Sequence, residues 1–471
     1  MNRKCQVFTP KNYVEELLDS VGYIKNLYGK KILEDSCGDG NILVAVVQRY
    51  IDDCVMKGLS KSDIKKGLSR DIYGVEIDPE QYNKCLDNLS IVLQRNKIES
   101  VNWKIFNADY LRWNEACDFQ FVVGNPPYIT YSELDKDEQQ YVKENFTTCE
   151  KGKFDYCYAF IEKSVRCLAK DGKMAYLVPS SIFKTVFGEK MRNFIKPYLR
   201  EIRDYTLANM FDDALVKSAM MILDMENQSP IFRYQNIDHN EQRLILRNEL
   251  NKKWFFTTND LVGTVRFGDY FQVAHVVATL LNEAYVLKKD MYQYVDGVYI
   301  SNGKKIEREV VRETATPRSI RYNKEEKIIF PYSYKDGALV RYSEKEFLDK
   351  FPGANAYLND FRKQLDKRKS DKKALWFEYG RSQALAGLNK EKLLISTVIT
   401  DKVTAYLLNE SCIPYAGMYI VPKTDNQVYG LEDAKAILES EEFMKYVERV
   451  GVHISGSSLR ITSRDIENYM F

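Results

Sequence analysis

The sequence predicts an α/β protein in two parts. A mostly parallel, Rossmann-like sheet of about seven strands with flanking helices spans residues 1–228, and a mixed α+β domain spans 229–471. Three observations carry this expectation. Short apolar runs alternate with helical periodicity as far as about residue 225. The first four of those runs each end in a polar or acidic residue, where an open α/β sheet presents groups to a ligand. Composition then shifts after Glu226-Asn227-Gln228-Ser229-Pro230: the alternation stops, and basic and aromatic residues become frequent.

In chain order, Phe8-Thr9-Pro10 precedes an amphipathic helix over Lys11 to Val21, with the proline at a position that starts helices well. Lys31-Ile32-Leu33 reads as a strand running into Glu34-Asp35-Ser36-Cys37-Gly38-Asp39-Gly40-Asn41. A glycine-rich turn before the apolar helix at Ile42–Val47 is a nucleotide cradle. Leu43 stands where a dinucleotide fingerprint has its third glycine, and no phosphate-binding lysine follows, so the loop fits a nucleoside without phosphates. After a polar helical insertion, Ile72 to Ile77 forms a second strand, and Asp78-Pro79 opens a helix. Glu76 at that strand's end is placed to accept from ribose hydroxyls. A third strand, Trp103–Phe106, ends in Asn107-Ala108-Asp109-Tyr110.

The fourth strand, Phe119 to Val123, ends in Gly124-Asn125-Pro126-Pro127-Tyr128. Asn125 offers an amide oxygen. Pro126 offers a carbonyl whose direction the fixed proline torsions constrain. Tyr128 offers a flat aromatic face. Two acceptors beside a stacking ring suit a planar exocyclic amino group such as N6 of adenine. A polar segment, Ser132 to Gly152, is expected as a mobile flap. A helix at Tyr156–Leu168, a strand at Met174–Val178, a helix near Glu189–Tyr198 and strands near Ile202–Thr206 and Ala219–Leu223 complete the first domain.

Composition excludes several classes. Net charge is only +2, so a nucleic-acid partner needs a local basic cleft rather than bulk charge. Nine cysteines lack zinc-like Cys-x-x-Cys spacing, and three histidines (His239, His275, His453) lie far apart, so no metal site is expected. No apolar run approaches the ~20 residues of a membrane span. These features imply reduced thiols and a cytoplasmic, nucleoid-associated protein without membrane contact.

Taken in order, Thr9-Pro10, Glu34 to Gly40, Glu76, Asp109-Tyr110 and Asn125 to Tyr128 resemble the motifs of DNA adenine-N6 methyltransferases. The likeness is to the TaqI-like gamma class, in which a class I S-adenosylmethionine-dependent catalytic domain precedes a target-recognition domain. It covers about residues 7–225, including the stretch Phe154 to Val178 with Phe160, Glu162 and Gly172. More loosely, Trp376-Phe377-Glu378-Tyr379-Gly380-Arg381 and Ala416 to Pro422 resemble recognition-domain segments.

The resemblance implies roles residue by residue. Thr9 and Pro10 would touch the methionine end of S-adenosylmethionine. Glu34 matches the acid at the end of the first strand, while Asp35 stands where a proline is usual. Cys37, Gly38 and Gly40 would form the loop under methionine and ribose. Glu76 would hold the ribose hydroxyls with Ile77 against the adenine, and Asp109 would accept from its N6 with Tyr110 beside it. Asn125, Pro126 and Tyr128 would be catalytic, and Pro127 and Phe211 would contact the flipped base, Phe211 opposite Tyr128. The implied activity is site-specific transfer of methyl to N6 of adenine in double-stranded DNA by a monomer. It would be either a modification enzyme beside a separate restriction endonuclease or a solitary methylase. A protein glutamine amide or an RNA adenine is the alternative acceptor. Arg308, Arg312, Arg318, Arg321 and Arg381 are candidates for base reading, and the run Lys363 to Lys373 for phosphate contact.

Overall fold

The two faces of the sheet are decided by alternation along its strands. A computed structural model describes residues 9–115, 117–205, 217–237, 239–256, 263–423, 428–454 and 457–471. The chain divides into two units, Met1–Thr257 and Thr258–Phe471.

In the first unit, β1 (Ile32–Glu34), β2 (Ile72–Glu76), β3 (Lys104–Asn107), β4 (Phe119–Gly124), β5 (Leu168–Pro179), β6 (Leu199–Tyr205), β7 (Ser218–Asp224), β8 (Ile231–Asn236) and β9 (Glu241–Leu246) form one sheet. Their order is β3-β2-β1-β4-β5-β7-β6-β8-β9. The first five neighbours run parallel, and β7 lies antiparallel between β5 and β6. The expected class I methyltransferase fold is therefore present. Along β4, Val122 faces one core and Val123 the other; along β5, Met174 and Tyr176 alternate with Ala175 and Leu177 in the same way. Burial on both faces is why these strands read as continuous apolar runs.

Helices cover both faces. Helices α1 (Lys11–Val21), α2 (Asn41–Met56), α3 (Lys61–Asp71) and α4 (Pro79–Arg95) pack on one side; α5 (Lys136–Asn145), α6 (Cys157–Cys167) and α7 (Glu189–Ile195) pack on the other. Helix α1 matches the expected span. Val14, Leu17, Leu18 and Val21 form its buried stripe at helical spacing, and Gly22 ends it in the left-handed region (φ 75°). Asp78 caps α4 by accepting from the amides of Glu80 (2.8 Å) and Gln81 (3.2 Å).

Two expectations change. The sheet does not stop at 228: β8 pairs parallel with β6, β9 pairs with β8, and Phe232, Tyr234 and Ile245 join the same core. The break between the two units accordingly falls at 257/258, because Ser229-Pro230 is a turn inside the first unit. The segment 132–152, expected as a polar flap, carries regular structure. It folds into α5 and a 3-10 turn at Thr147–Cys149, and Glu162 on α6 accepts from the amides of Thr147 (3.0 Å) and Thr148 (2.8 Å).

The second unit mixes small antiparallel sheets with short helices, as expected. Its largest sheet orders Phe271–His275, Met418–Pro422, Lys392–Ile395 and Tyr406–Leu408. Three two-residue hairpin loops, Asp296-Gly297, Asn302-Gly303 and Asp336-Gly337, have positive φ at both positions and join paired strands directly.

Candidate active site

The carboxyl ends of β1, β2, β3 and β4 open onto one cavity of about 470 Å³. Register makes this unavoidable. Glu34 on β1 pairs with Gly74 on β2 and Val123 on β4, so the residues that follow each strand emerge side by side. Of the residues singled out by sequence, Thr9, Glu34, Cys37, Gly38, Glu76, Ile77, Asp109, Tyr110, Asn125, Pro126, Pro127 and Tyr128 line this cavity. Pro10 and Gly40 are not among the lining residues; they are the N-cap residues of α1 and α2. Phe211 lies outside the described residues.

The glycine loop is held tightly. The Cys37 amide donates to the Val75 carbonyl (3.0 Å) and the Gly40 amide to the Cys37 carbonyl (2.7 Å). Gly40 has φ 84°, and a Cβ there would sit 2.6 Å from the Cys85 sulfur, so α2 and α4 approach through it. Glu76 accepts from the amides of Gly38 and Asp78, both at 2.8 Å. These amides hold its charged form, but burial outweighs them and raises its pKa.

The far end of the cavity is set by Asp109. It accepts from the Leu111 amide at 2.9 Å and pairs with Arg112, which also donates to Glu138 on α5 at 2.6 Å. Tyr156 donates to the same Glu138 at 2.7 Å, so the segment expected as a flap is tied to this end of the site.

At the turn after β4, the Tyr128 hydroxyl donates to Asn125 Oδ1 at 2.6 Å, and Asn125 Nδ2 donates to Thr9 Oγ1 at 3.4 Å. Ser36 donates to the Asn125 carbonyl at 3.2 Å. Asp35 is 1% exposed and accepts from Tyr176 and, at 3.2 Å, from Ser164. Burial pushes its carboxyl up to about 7, against those hydrogen bonds. Burial holds Glu34 well above the ordinary carboxylate range, with Cys85, Asp35 and Glu76 adding to the effect.

Three of the lining residues carry a buried side-chain oxygen without a partner among the described residues: Glu34 Oε2, Asp39 Oδ1 and Gln81 Oε1. Unsatisfied buried acceptors are costly, and they fit an occupant rich in N–H and O–H donors. Sequence reasoning missed Ser36, Asp39, Gln81 and Tyr156 as lining residues. Of these, Ser36 and Asp39 lay within the glycine loop; Gln81 and Tyr156 reach the cavity only through tertiary packing. No cluster of three or more metal-binding side chains occurs among the described residues, and no described helix is long and apolar enough to cross a membrane.

In the second unit, Arg308, Arg318 and Arg321 are exposed. Arg381 pairs with Asp371 at 2.9 Å, and Arg312 donates to the Glu309 carbonyl at 2.7 Å. Within the basic run, Lys363, Lys367, Lys369, Lys372 and Lys373 are exposed. Arg368 instead turns inward and donates to the carbonyls of Thr279, Trp376 and Glu378, so it is not one of the surface cations of that run.

Residues 65–211 match the family model described as Eco57I restriction-modification methylase. Over 203 residues the chain is 34% identical to the Type II methyltransferase M.BstVI of Geobacillus stearothermophilus, covering 40% of this chain and 36% of that protein. Identity to the Type II restriction enzyme and methyltransferase RM.Eco57I of Escherichia coli is 22% over 545 residues, covering 94% of this chain and 54% of that protein. The chain thus spans from about a third to about half of the length of these curated relatives. Among solved structures, the Type IIL restriction-modification enzyme MmeI, determined in complex with DNA, superposes with a TM-score of 0.59 at 12% identity, over 97% of this chain and 65% of that one. The ATP-dependent Type ISP enzyme LlaBIII does so with 0.51 at 12%, over 94% and 36%; these two show fold alone. The family resemblance read from the sequence stands, and it is to the restriction-modification methylases of Eco57I type.

Proposed function

We propose that this chain, which carries an Eco57I-type restriction-modification methylase domain, transfers a methyl group from S-adenosylmethionine to N6 of an adenine flipped out of double-stranded DNA. One observation carries the reading: Asn125, Pro126 and Tyr128 line the same cavity as Glu76 and Asp109. The acidic lining and the three unpartnered acceptors suit a cationic, donor-rich nucleoside. When bound, that cofactor supplies an electrophilic methyl on a sulfonium.

The protein's part is positioning. Glu76, oriented by two amides, accepts from ribose hydroxyls. Asp109, braced by Arg112, accepts from the adenine amino group of the cofactor. Asn125 Oδ1 and the Pro126 carbonyl each take one N–H of the target amino group, which favours a pyramidal nitrogen and aims its lone pair at the methyl. Flipping costs a few kcal/mol, and stacking on Tyr128 returns ~1–3 kcal/mol. The second unit supplies recognition, with Arg308, Arg318 and Arg321 available to base edges and the exposed lysines of 363–373 to phosphates.

Tritium transfer from S-adenosylmethionine into duplex DNA, RNA and cell protein, followed by nucleoside analysis, tests this. Label recovered as N6-methyladenine from DNA is expected. Label in protein glutamine or RNA adenine, with none in DNA, overturns it.

A further inference from the structure

Asp35 departs from the pattern that the rest of the site follows, and its surroundings give it a use. It lines the cavity, is 1% exposed, and packs so closely under the turn after β4 that a Cβ on Gly124 would sit 2.9 Å from its Oδ1. Every side-chain partner it has is a neutral hydroxyl. Tyr176 on β5 and Ser164 on α6 donate to Oδ2, and Ser36 lies 3.3 Å from Oδ1. Tyr110 extends the chain to Ser164 at 2.8 Å, and Ser164 to Tyr176 at 2.6 Å. The donors converge on a carboxylate, yet among the described residues Asp35 forms no ion pair. The cation on the neighbouring helix, Lys163, spends its ammonium on the carbonyls of Tyr110, Leu111 and Trp113. A buried charge with hydrogen bonds but no counter-charge is unfavourable until something cationic arrives. The wall of the cavity thus holds one half of an ion pair.

We propose that Asp35 makes this cavity charge-selective, so that it holds a sulfonium nucleoside more tightly than the neutral thioether left after transfer. The inference rests on the cofactor reading above. Loss of the methyl removes the positive charge, and the product then faces an uncompensated carboxylate, which favours its exchange for fresh cofactor. The groups facing Asp35 are Glu34 on β1, Tyr110 after β3, Tyr176 on β5, and Lys163 and Cys167 on α6. Burial raises the pKa of Glu34 and of the two tyrosines and lowers that of Lys163, the one basic side chain among them. The same burial pushes the Asp35 carboxyl up to about 7.

The sign follows. A nearby sulfonium lowers the Asp35 pKa and a thioether does not, so preference for the sulfonium grows as pH rises towards about 7 and levels off above it.

Calorimetric affinities of the full chain for S-adenosylmethionine and S-adenosylhomocysteine, measured from pH 6 to 7.5, test this without turnover. The ligands' own amino groups titrate equally against parent and variants, so the comparison is between proteins. The affinity ratio should rise about fivefold more in the parent than in Asp35→Asn. In Ser164→Ala, which removes a donor to the ionised form, the rise should move to higher pH. That second variant keeps the test decisive if Asp35→Asn folds poorly. A ratio with the same pH dependence in parent and Asp35→Asn overturns the proposal, as does a rise that Glu34→Gln abolishes and Asp35→Asn retains. If neither ligand binds, the proposal falls together with the cofactor reading; if both bind with a pH-independent ratio, it falls alone.

Discussion

The hydroxyl of Tyr128 donates to the side-chain oxygen of Asn125 across 2.6 Å. The acceptor that the target amino group needs is therefore already engaged by the ring that would stack on the base. An adenine amino group would compete with that hydroxyl or share the oxygen through its second lone pair, while the aromatic face is kept.

Tyr128→Phe should hold single-turnover methyl transfer at the parental rate or above, because the competing donor is gone and the stacking face remains. Tyr128→Ala should weaken retention of the flipped base by ~1–3 kcal/mol. A 2-aminopurine at the target position reports flipping separately from chemistry. Equal loss in both variants would mean that the hydroxyl, rather than the ring, is what matters.

Glu76→Ala should weaken S-adenosylmethionine binding by about 1.5–3 kcal/mol, the range for a hydrogen bond to a charged acceptor. Glu76 also gathers the amides of Gly38 and Asp78, so Glu76→Gln, which keeps the shape, should fall between the two. Calorimetry showing unchanged affinity in a folded Glu76→Ala protein would remove the residue from the cofactor site.

Gly40 and Gly22 offer a matched pair. Both have positive φ, but a Cβ at Gly40 meets Cys85 at 2.6 Å, whereas one at Gly22 meets nothing within 4 Å. Gly22→Ala should cost about 1–2 kcal/mol, the left-handed strain alone. Gly40→Ala should cost that plus ~1–3 kcal/mol of overpacking. Urea denaturation of the two variants compares them, and equal midpoints would show that the loop can move away from α4.

The end of the first unit is testable by truncation. Trp254 stacks on Phe183 with an interplanar angle of 9°, and Phe256 stacks on Tyr234. A chain ending at 256 should bind S-adenosylmethionine and melt cooperatively. One ending at 228 loses β8, β9 and these rings, bares the edge of β6, and should melt well below it. Equal melting temperatures would return the boundary to 228.

What could be read from the sequence follows the range of the forces involved. The span of α1 was legible because its apolar stripe and Gly22 are local signals. The ends of β1 to β4 were legible because strands buried on both faces are dense in apolar residues, so the polar residue that stops each one stands out. The continuation into β8 and β9 was hidden: Pro230 reads as a linker, and only pairing with β6, which is non-local, shows otherwise. The hairpins of the second unit did carry a local signal, Asp-Gly and Asn-Gly between apolar runs, which the reading passed over in favour of composition. The inward turn of Arg368, inside a run of lysines, depends on carbonyls 8 to 89 residues away. The partners of Asp35 arrive from β5 and α6, so its surroundings could not be assigned before folding.

The account stands most directly on Asn125. Its side-chain oxygen is proposed to take one N–H of the target amino group in the transition state, beside the Pro126 carbonyl. Asn125→Ala leaves the Tyr128 ring and the residues around Glu76 in place. Single-turnover methyl transfer to duplex DNA, with DNA affinity measured alongside, isolates that one contact. The account predicts a rate lower by ~10²–10³, the usual cost of losing one positioned donor or acceptor, with DNA binding little changed. A rate near the parental value would contradict it.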